Sequence, residues 1–179
     1  LGMLLLWIIV STNAASVVKN DITNQMTDAV EARAAMIDEY VTSVEEYMTA
    51  FALGGEVHEL LKSPEDPALL QKAQQYTEDF AAVKGVFEGL YIATPATRVL
   101  THTSKGAIGI TTRTGDSLET FRKTILSQRG LTNLGIMKSP GTGSMILSMY
   151  YPIFEGEQCI GYVGAGVYAS HLMDALLNL

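Results

Sequence analysis

The chain has 179 residues, of which 47% are hydrophobic and 17% charged. That length suits one ordinary domain, or one domain with a long appendage, and that composition excludes global disorder. The formal net charge of −7, with no cluster of Lys or Arg, argues against a nucleic-acid partner. Cys159 is the one cysteine, which excludes an internal disulfide and any metal site built on cysteines.

Residues 1–10 (LGMLLLWIIV) form an unbroken apolar run. A membrane-spanning helix needs about 20 such residues, so this run is too short to span by itself. It is either the outer end of a membrane helix or a hydrophobic appendage that packs on the domain. Trp7 favours the membrane helix, because indole rings prefer the membrane interface. We therefore separate residues 1–16 from the domain that follows.

Residues 17–53 are predicted to form one long helix. Apolar residues recur there in steps of three, four or seven, at Ile22, Met26, Val30, Ile37, Tyr40, Val41, Val44, Met48 and Phe51. Gly54 and Gly55 then end the helix. A helix of about 35 residues is about 50 Å long, which indicates a protruding helix or a seam between two chains. The alternative is two shorter helices that break near Arg33.

Two further helices are predicted at residues 58–62 and 67–83. Between them lies the sequence SPEDP, in which Ser63 or Asp66 can cap the second of these helices beside a proline. Gly85 ends it. Residues 17–84 thus form a helical first part, and residues 85–179 form a part of different character.

Residues 85–179 have the pattern of an antiparallel sheet. Strands are predicted at 87–93, 98–103, 131–138, 144–154 and 158–168, with a helix at 118–128 capped by Asp116 or Ser117 and a closing helix at 170–177. The short turns between consecutive strands require antiparallel pairing. The fold class is therefore α+β, with a long N-terminal helix, a five-stranded antiparallel sheet and helices gathered on one side.

Catalytic signatures are missing from the sequence. Gly161, Gly164 and Gly166 do not open a βαβ unit, so they indicate close approach of a backbone or ligand rather than dinucleotide binding. The three histidines are scattered, which argues against a metal site. There is neither a nucleophile elbow nor a pair of carboxylates at strand ends. The sequence predicts a binding domain that is not an enzyme and uses no cofactor and no metal.

Three segments in the order found here resemble the Cache (PAS-like) sensor domains of bacterial methyl-accepting chemotaxis proteins. They are GLYIATPATRVLTHTSKGAIGITTR (89–113), SPGTGSMILSMYYPIF (139–154) and CIGYVGAGVYASHLMDAL (159–176). With the long helix, the resemblance covers the whole of residues 17–179 as a single Cache domain. It implies a PAS-like sheet and a small-molecule pocket between the sheet and its flanking helix and loops.

The resemblance also implies a receptor anchored in the cell membrane, with this domain outside the cytoplasm and the last helix leading to a second span. A ligand would shift the sheet relative to the long helix and so bias the membrane helices. The cytoplasmic output would be a chemotaxis module, while a histidine kinase or a cyclic-dinucleotide synthase stays an alternative. A structural dimerisation module without ligand is a further alternative. We expect a homodimer through residues 17–53, because the apolar stripe needs cover.

This sequence departs from the Cache sensors that bind amino acids. Those sensors carry a signature rich in Tyr, Arg and Trp before the third strand, where this chain has DSLETFRKTILSQ (116–128). They also place an aspartate on the last strand, where this chain has Gly166. The resemblance therefore leaves the ligand open among carboxylates, purine-like rings and other small metabolites.

The ligand site is predicted on the sheet. Alternation along the fourth strand places Met145, Leu147, Met149, Tyr151 and Ile153 on one face and Ile146, Ser148 and Tyr150 on the other. The residues predicted to form the site are Tyr91, Thr101, His102, Arg113, Met149 and Tyr151. Arg113 is the candidate for binding an anionic ligand, since its planar guanidinium fits a carboxylate. Its alternative role is that of a solvated residue in the crossover.

Overall fold

A computed structural model describes the backbone of residues 2–172 and the side chains of residues 19–172. Its elements are α1 (Gly2–Ala52), α2 (Gly55–Lys62), α3 (Pro67–Lys84), β1 (Phe87–Ala93), β2 (Val99–His102), a 3₁₀ turn (Lys105–Ala107), α4 (Gly115–Phe121) with a π-helical turn (Arg122–Leu126), β3 (Thr132–Lys138), β4 (Met145–Glu155) and β5 (Gln158–Tyr168). The predicted fold class, α+β with a long first helix and five antiparallel strands, is confirmed.

The first helix, α1, is continuous from Gly2 to Ala52, so the alternative break near Arg33 does not occur. No Gly or Pro interrupts the sequence after Gly2 until Gly54, which explains why the helix runs on. Within the described residues, no helix carries a stretch that is both long and apolar enough to cross a membrane. The side chains of residues 1–10 lie outside the described part, and their role as the end of a membrane helix stays a prediction.

Local sequence sets the bounds of α3. Asp66 is the N-cap: its carboxylate accepts hydrogen bonds from the backbone N–H of Ala68 at 2.8 Å and of Leu69 at 3.3 Å. Pro67 occupies the first turn, where a missing N–H costs nothing. At the other end Gly85 adopts a left-handed φ of 64°, which glycine accepts without strain. The predicted cap and stop are both found.

The five strands form one antiparallel sheet in the order β2-β1-β5-β4-β3, with β5 in the centre. One face of this sheet, here called the helix face, packs on α1, α2 and α3. Its buried residues include Leu90, Ile92, Met149, Val163 and Val167. The closing helix begins at residues 169–172, and the rest of its predicted extent lies outside the described residues.

The opposite face of the sheet is also covered, so the expectation that the helices gather on one side was wrong. Phe121, Ile125 and Leu126, from α4 and the π-helical turn, pack there on Tyr150 and Tyr162. Strands β4 and β5 carry apolar side chains on both faces, so both faces must be shielded from water by other elements. Helix α4 begins at Gly115 with Thr114 as its N-cap, so the caps predicted at Asp116 and Ser117 were wrong.

Candidate functional site

A cavity of about 560 Å³ lies on this second face of the sheet, here called the cavity face. Strands β1, β2, β4 and β5 form its floor. Its walls come from the loop at 104–117 and the turn at 139–142. The lining includes Glu88, Gly89, Tyr91, His102, Arg113, Ser139, Thr142, Ile146, Ser148, Tyr150 and Gly166. The volume is that of a site for a small metabolite.

Glycines in the floor of the cavity leave space for neighbouring side chains to lie close to the sheet. A side chain at Gly164 would overlap the ring of Tyr91, which lies across that position. A Cβ at Gly89 would stand 3.1 Å from the ring of His102. A Cβ at Gly166 would stand 3.0 Å from the carboxylate of Glu88 and 2.9 Å from Ile146. The close approach expected of the β5 glycines is therefore to side chains of the site at Gly164 and Gly166, whereas at Gly161 it is to Leu61 of α2 and the Ala93 carbonyl.

Arg113 is held at one end of the cavity. Its backbone N–H donates to the Thr97 hydroxyl at 3.0 Å, and that hydroxyl also lies 3.1 Å from the Arg113 carbonyl. The guanidinium stacks on Phe121, with its Cζ 4.0 Å from the ring centroid. Nη2 donates to the Tyr150 hydroxyl at 3.0 Å. No carboxylate forms a salt bridge with Arg113 in the described part of the chain.

The charge of Arg113 persists in this half-buried place. Burial acts to lower the pKa of the guanidinium, but the neighbouring Tyr150, Tyr162 and Tyr91 together outweigh it and hold that pKa above its ordinary value. A guanidinium that is charged, oriented and without a carboxylate partner among the described residues can bind an anionic group of a ligand in bidentate fashion.

Glu88 lies at the other end of the cavity, and sequence reasoning missed it. The pairing of β1 with β5 is irregular between Phe87 and Gly89, so Glu88 is an extra residue at a bulge. One carboxylate oxygen, Oε1, accepts from the hydroxyls of Ser139 and Thr142, each at 2.7 Å. The only sequence signal is Gly89, since a glycine inside a strand pattern can mark a bulge.

His102 lines the wall between these two ends. The backbone N–H of Ser104 donates to its Nδ1 at 2.8 Å, so the neutral imidazole carries its proton on Nε2. The ring stacks on Tyr91, with centroids 5.3 Å apart at 11°. Burial lowers the pKa of His102, and the Glu88 carboxylate opposes that shift only in part. His102 is thus neutral at pH 7 and offers one N–H donor.

Three tyrosines surround Arg113. Burial raises the pKa of Tyr162 to about 12, and burial with the nearby Tyr150 and Tyr162 raises the pKa of Tyr91 well above its ordinary value. Tyr91 and Tyr162 therefore stay neutral at physiological pH. The Tyr162 side chain is fully buried, and its hydroxyl has no hydrogen-bond partner in the structure.

The structure brings together half of the predicted site residues. Tyr91, His102 and Arg113 line the cavity. Met149 and Tyr151 pack on the helix face, and the Thr101 hydroxyl is buried 2.9 Å from that of Thr77 on α3. The cavity uses Tyr150 in place of Tyr151. The predicted alternation along β4 was right, but the pocket lies on the other face from Met149, because α4 and the 104–117 loop leave room only there.

The pH dependence of stability should report the burial of neutral His102. In the unfolded chain the His102 imidazole takes up a second ring proton near pH 6.5, whereas in the folded chain it does so only at lower pH. Stability contributed by the neutral ring is therefore present above about pH 6.5 and is lost as the pH falls below it. We expect the drop in free energy of unfolding between about pH 7.5 and 5.5 to be smaller in His102→Asn, which keeps an acceptor for Ser104. Urea titrations at the two pH values measure the free energy of unfolding. An equal drop in the variant and in the unaltered chain would contradict the prediction.

No protein-family model and no curated protein matches this chain. Solved structures do match it. The sensor domain of the histidine kinase DctB from V. cholerae has a TM-score of 0.71 at 11% identity, over 86% of this chain and 58% of that one. The sensory domain of the Campylobacter jejuni chemoreceptor Tlp3 with isoleucine bound has a TM-score of 0.67 at 11% identity, over 90% and 65%.

A domain of a sensory box/GGDEF family protein from Vibrio parahaemolyticus matches with a TM-score of 0.67 at 13% identity, over 83% of this chain and 60% of that one. The chain thus has the fold of sensor domains, as the resemblance to Cache domains implied. That fold is shared by a histidine kinase, a chemoreceptor and a GGDEF protein. The chain spans about three fifths of the length of these solved chains.

Proposed function

We propose that this chain is the small-molecule sensing domain of a membrane receptor, positioned outside the cytoplasm, and that it has no catalytic activity of its own. The observation that carries the proposal is the cavity of about 560 Å³, in which the charged Arg113 has no carboxylate partner among the described residues. An oriented, half-buried cation in a cavity of metabolite size is suited to bind an anionic group.

Contacts between the sheet and α1 support a route for the signal. Phe87, at the start of β1, stacks on Tyr47 of α1 with ring centroids 6.0 Å apart. Asn133 of β3 donates to the Glu45 carboxylate of α1 at 2.6 Å. A ligand that moves β1 relative to α1 would alter these contacts, and α1 would carry the shift toward the membrane. This coupling requires that the ligand favours one of two arrangements.

The neighbours suggest where to look for the ligand. Structures of the Tlp3 domain contain isoleucine and L-valine, which are small and carry a carboxylate. We propose a small anionic or carboxylate-bearing metabolite for the present chain, bound through Arg113.

A thermal-shift screen of the purified chain against a metabolite library tests this function. We expect at least one compound to raise the melting temperature with saturable dose dependence. Turnover of that compound by the protein would show an enzyme instead, and a library without any hit would favour a structural module.

Two neighbouring tyrosines on opposite faces locate the binding site. Tyr150→Phe removes the hydroxyl that orients Arg113, so ligand affinity should fall by roughly tenfold, as for the loss of a hydrogen bond to a charged group. Tyr151→Phe is the matched control, since Tyr151 packs on the helix face. Calorimetric titration of both variants measures the difference. Equal affinities would place the ligand elsewhere.

We further propose a homodimer through α1. Ile22, Met26 and Val30 are spaced four residues apart and are 51%, 66% and 64% exposed. Such a stripe on a protruding helix is suited to pair with the same helix of a second copy. A parallel pair keeps both membrane ends on one side. Sedimentation at rising concentration should show a dimer that Met26→Lys weakens, and a chain that stays monomeric at millimolar concentration would contradict the proposal.

A further inference from the structure

The two ends of the cavity carry opposite charges. Among the residues that line it in the described part of the chain, Glu88 and Arg113 are the two with a formal charge once His102 is neutral. Neither forms a salt bridge with another side chain there. The cavity is therefore neutral overall but strongly polarised from one end to the other.

The Glu88 carboxylate is held in place with one oxygen free. Ser139 and Thr142 both donate to Oε1, which fixes the side chain to the turn between β3 and β4. The other oxygen, Oε2, lies over Gly166, 3.0 Å from where a Cβ would stand. A side chain at position 166 would take this space. The missing Cβ thus allows a carboxylate from β1 to sit above β5, with one oxygen that accepts no hydrogen bond from the side chains described by the structure.

Arg113 and Glu88 line the same cavity of about 560 Å³. Arg113 donates to the Tyr150 hydroxyl, while Glu88 lies over Gly166 on β5. A cavity of this volume suits a small metabolite. A compact ligand with two groups of opposite charge can therefore contact both residues.

We infer that the ligand is amphoteric, with an anionic group bound at Arg113 and a protonated amine bound at Glu88. This inference rests on the proposed sensing function. A dicarboxylate of the same size would place its second anionic group against Glu88, and like charges in a half-buried site repel. A simple amine would leave Arg113 without an anion. Glu88 is the residue that selects for the amine.

Matched probes test the inference by calorimetry on the purified chain. They are the L-amino acids with neutral side chains and 4-aminobutanoate, each compared with its deaminated acid and its decarboxylated amine, with succinate as a dianion. We expect at least one amphoteric probe to bind at least tenfold more tightly than both of its one-charge relatives and than succinate. Succinate or a deaminated acid as the tightest binder would overturn the inference.

Glu88→Gln isolates the amine contact, since the amide keeps an oxygen that can accept from Ser139 and Thr142. We expect Glu88→Gln to lower the affinity for the best amphoteric probe at least tenfold. The deaminated acid should bind to this variant as well as to the unaltered chain, or better. Gly166→Ala should give the same loss by displacing the carboxylate. Glu119→Gln, at an exposed position of α4, is the control. Unchanged affinity of the best probe in both site variants would overturn the inference.

The outcomes separate this inference from the function on which it rests. Saturable binding of succinate or another anion that depends on Arg113, without binding of any amphoteric probe, overturns the inference and leaves the sensing function standing. Absence of binding by every probe and every library compound overturns both.

Discussion

Arg113→Ala should abolish measurable binding of whichever ligand the screen identifies, while the domain stays folded. Loss of a largely desolvated charge contact costs about 2–5 kcal/mol, which corresponds to roughly 30-fold to several-thousand-fold in affinity. The fold should survive because the Thr97 hydroxyl contacts Arg113 through its backbone N–H and carbonyl, which alanine also has. Calorimetric titration measures the affinity.

Arg122→Ala is the control for the loss of an arginine. Arg122 is exposed, forms an ion pair with Glu119 at 3.0 Å and lies outside the cavity lining. The affinity of the Arg122→Ala variant for the ligand should equal that of the unaltered chain. Arg113→Lys should recover only part of the affinity, because a lysine keeps the charge but lacks the planar fork. Unchanged affinity in Arg113→Ala would remove Arg113 from the site and leave Tyr91 and Tyr150 as candidates.

Most of the fold could be predicted because local signals mark the element ends. Strands β1 and β5 have the predicted bounds, since Gly85 precedes the first and the turn at 155–157 precedes the second. Asp66 and Gly85 act at the ends of α3 through their own side chain and backbone, which is information held within a few residues. Such signals do not depend on tertiary contacts, and a single sequence therefore reveals them.

The site was harder to predict because it depends on contacts between distant segments. Alternation separates Tyr150 from Tyr151 but does not say which face stays open, since that depends on where α4 docks. The bulge that carries Glu88 arises from pairing with β5, almost eighty residues later in the chain. Arg113 stood out as a lone cation in a crossover, whereas its stacking on Phe121 follows from the tertiary fold. Sequence therefore indicated the positive end of the cavity and missed the negative end.

An aromatic cluster around the buried Phe51 helps to join α1 to the rest of the domain. Phe51, near the end of α1, has no exposed surface. Its ring stacks on Tyr76 of α3, with centroids 5.0 Å apart at 8°, and lies 5.0 Å from the ring of Phe80. The Phe51 carbonyl accepts from the Tyr76 hydroxyl at 3.4 Å. These contacts fix the helix that would transmit a signal to the helices that support the sheet.

Phe51→Ala should lower the free energy of unfolding by about 3–5 kcal/mol, because it removes a buried ring and leaves a cavity among rings that cannot all close in. For a chain of this size the melting temperature should fall by roughly 6–20 °C. Urea denaturation measures the free energy, with Leu53→Ala, whose side chain is 59% exposed, as the control expected to change little. A loss below about 1 kcal/mol in Phe51→Ala would mean that the cluster does not anchor α1. Under conditions in which the variant is still folded, ligand affinity should be nearly unchanged, because Phe51 lies on the helix face and Arg113 on the other, so anchoring and binding can be separated.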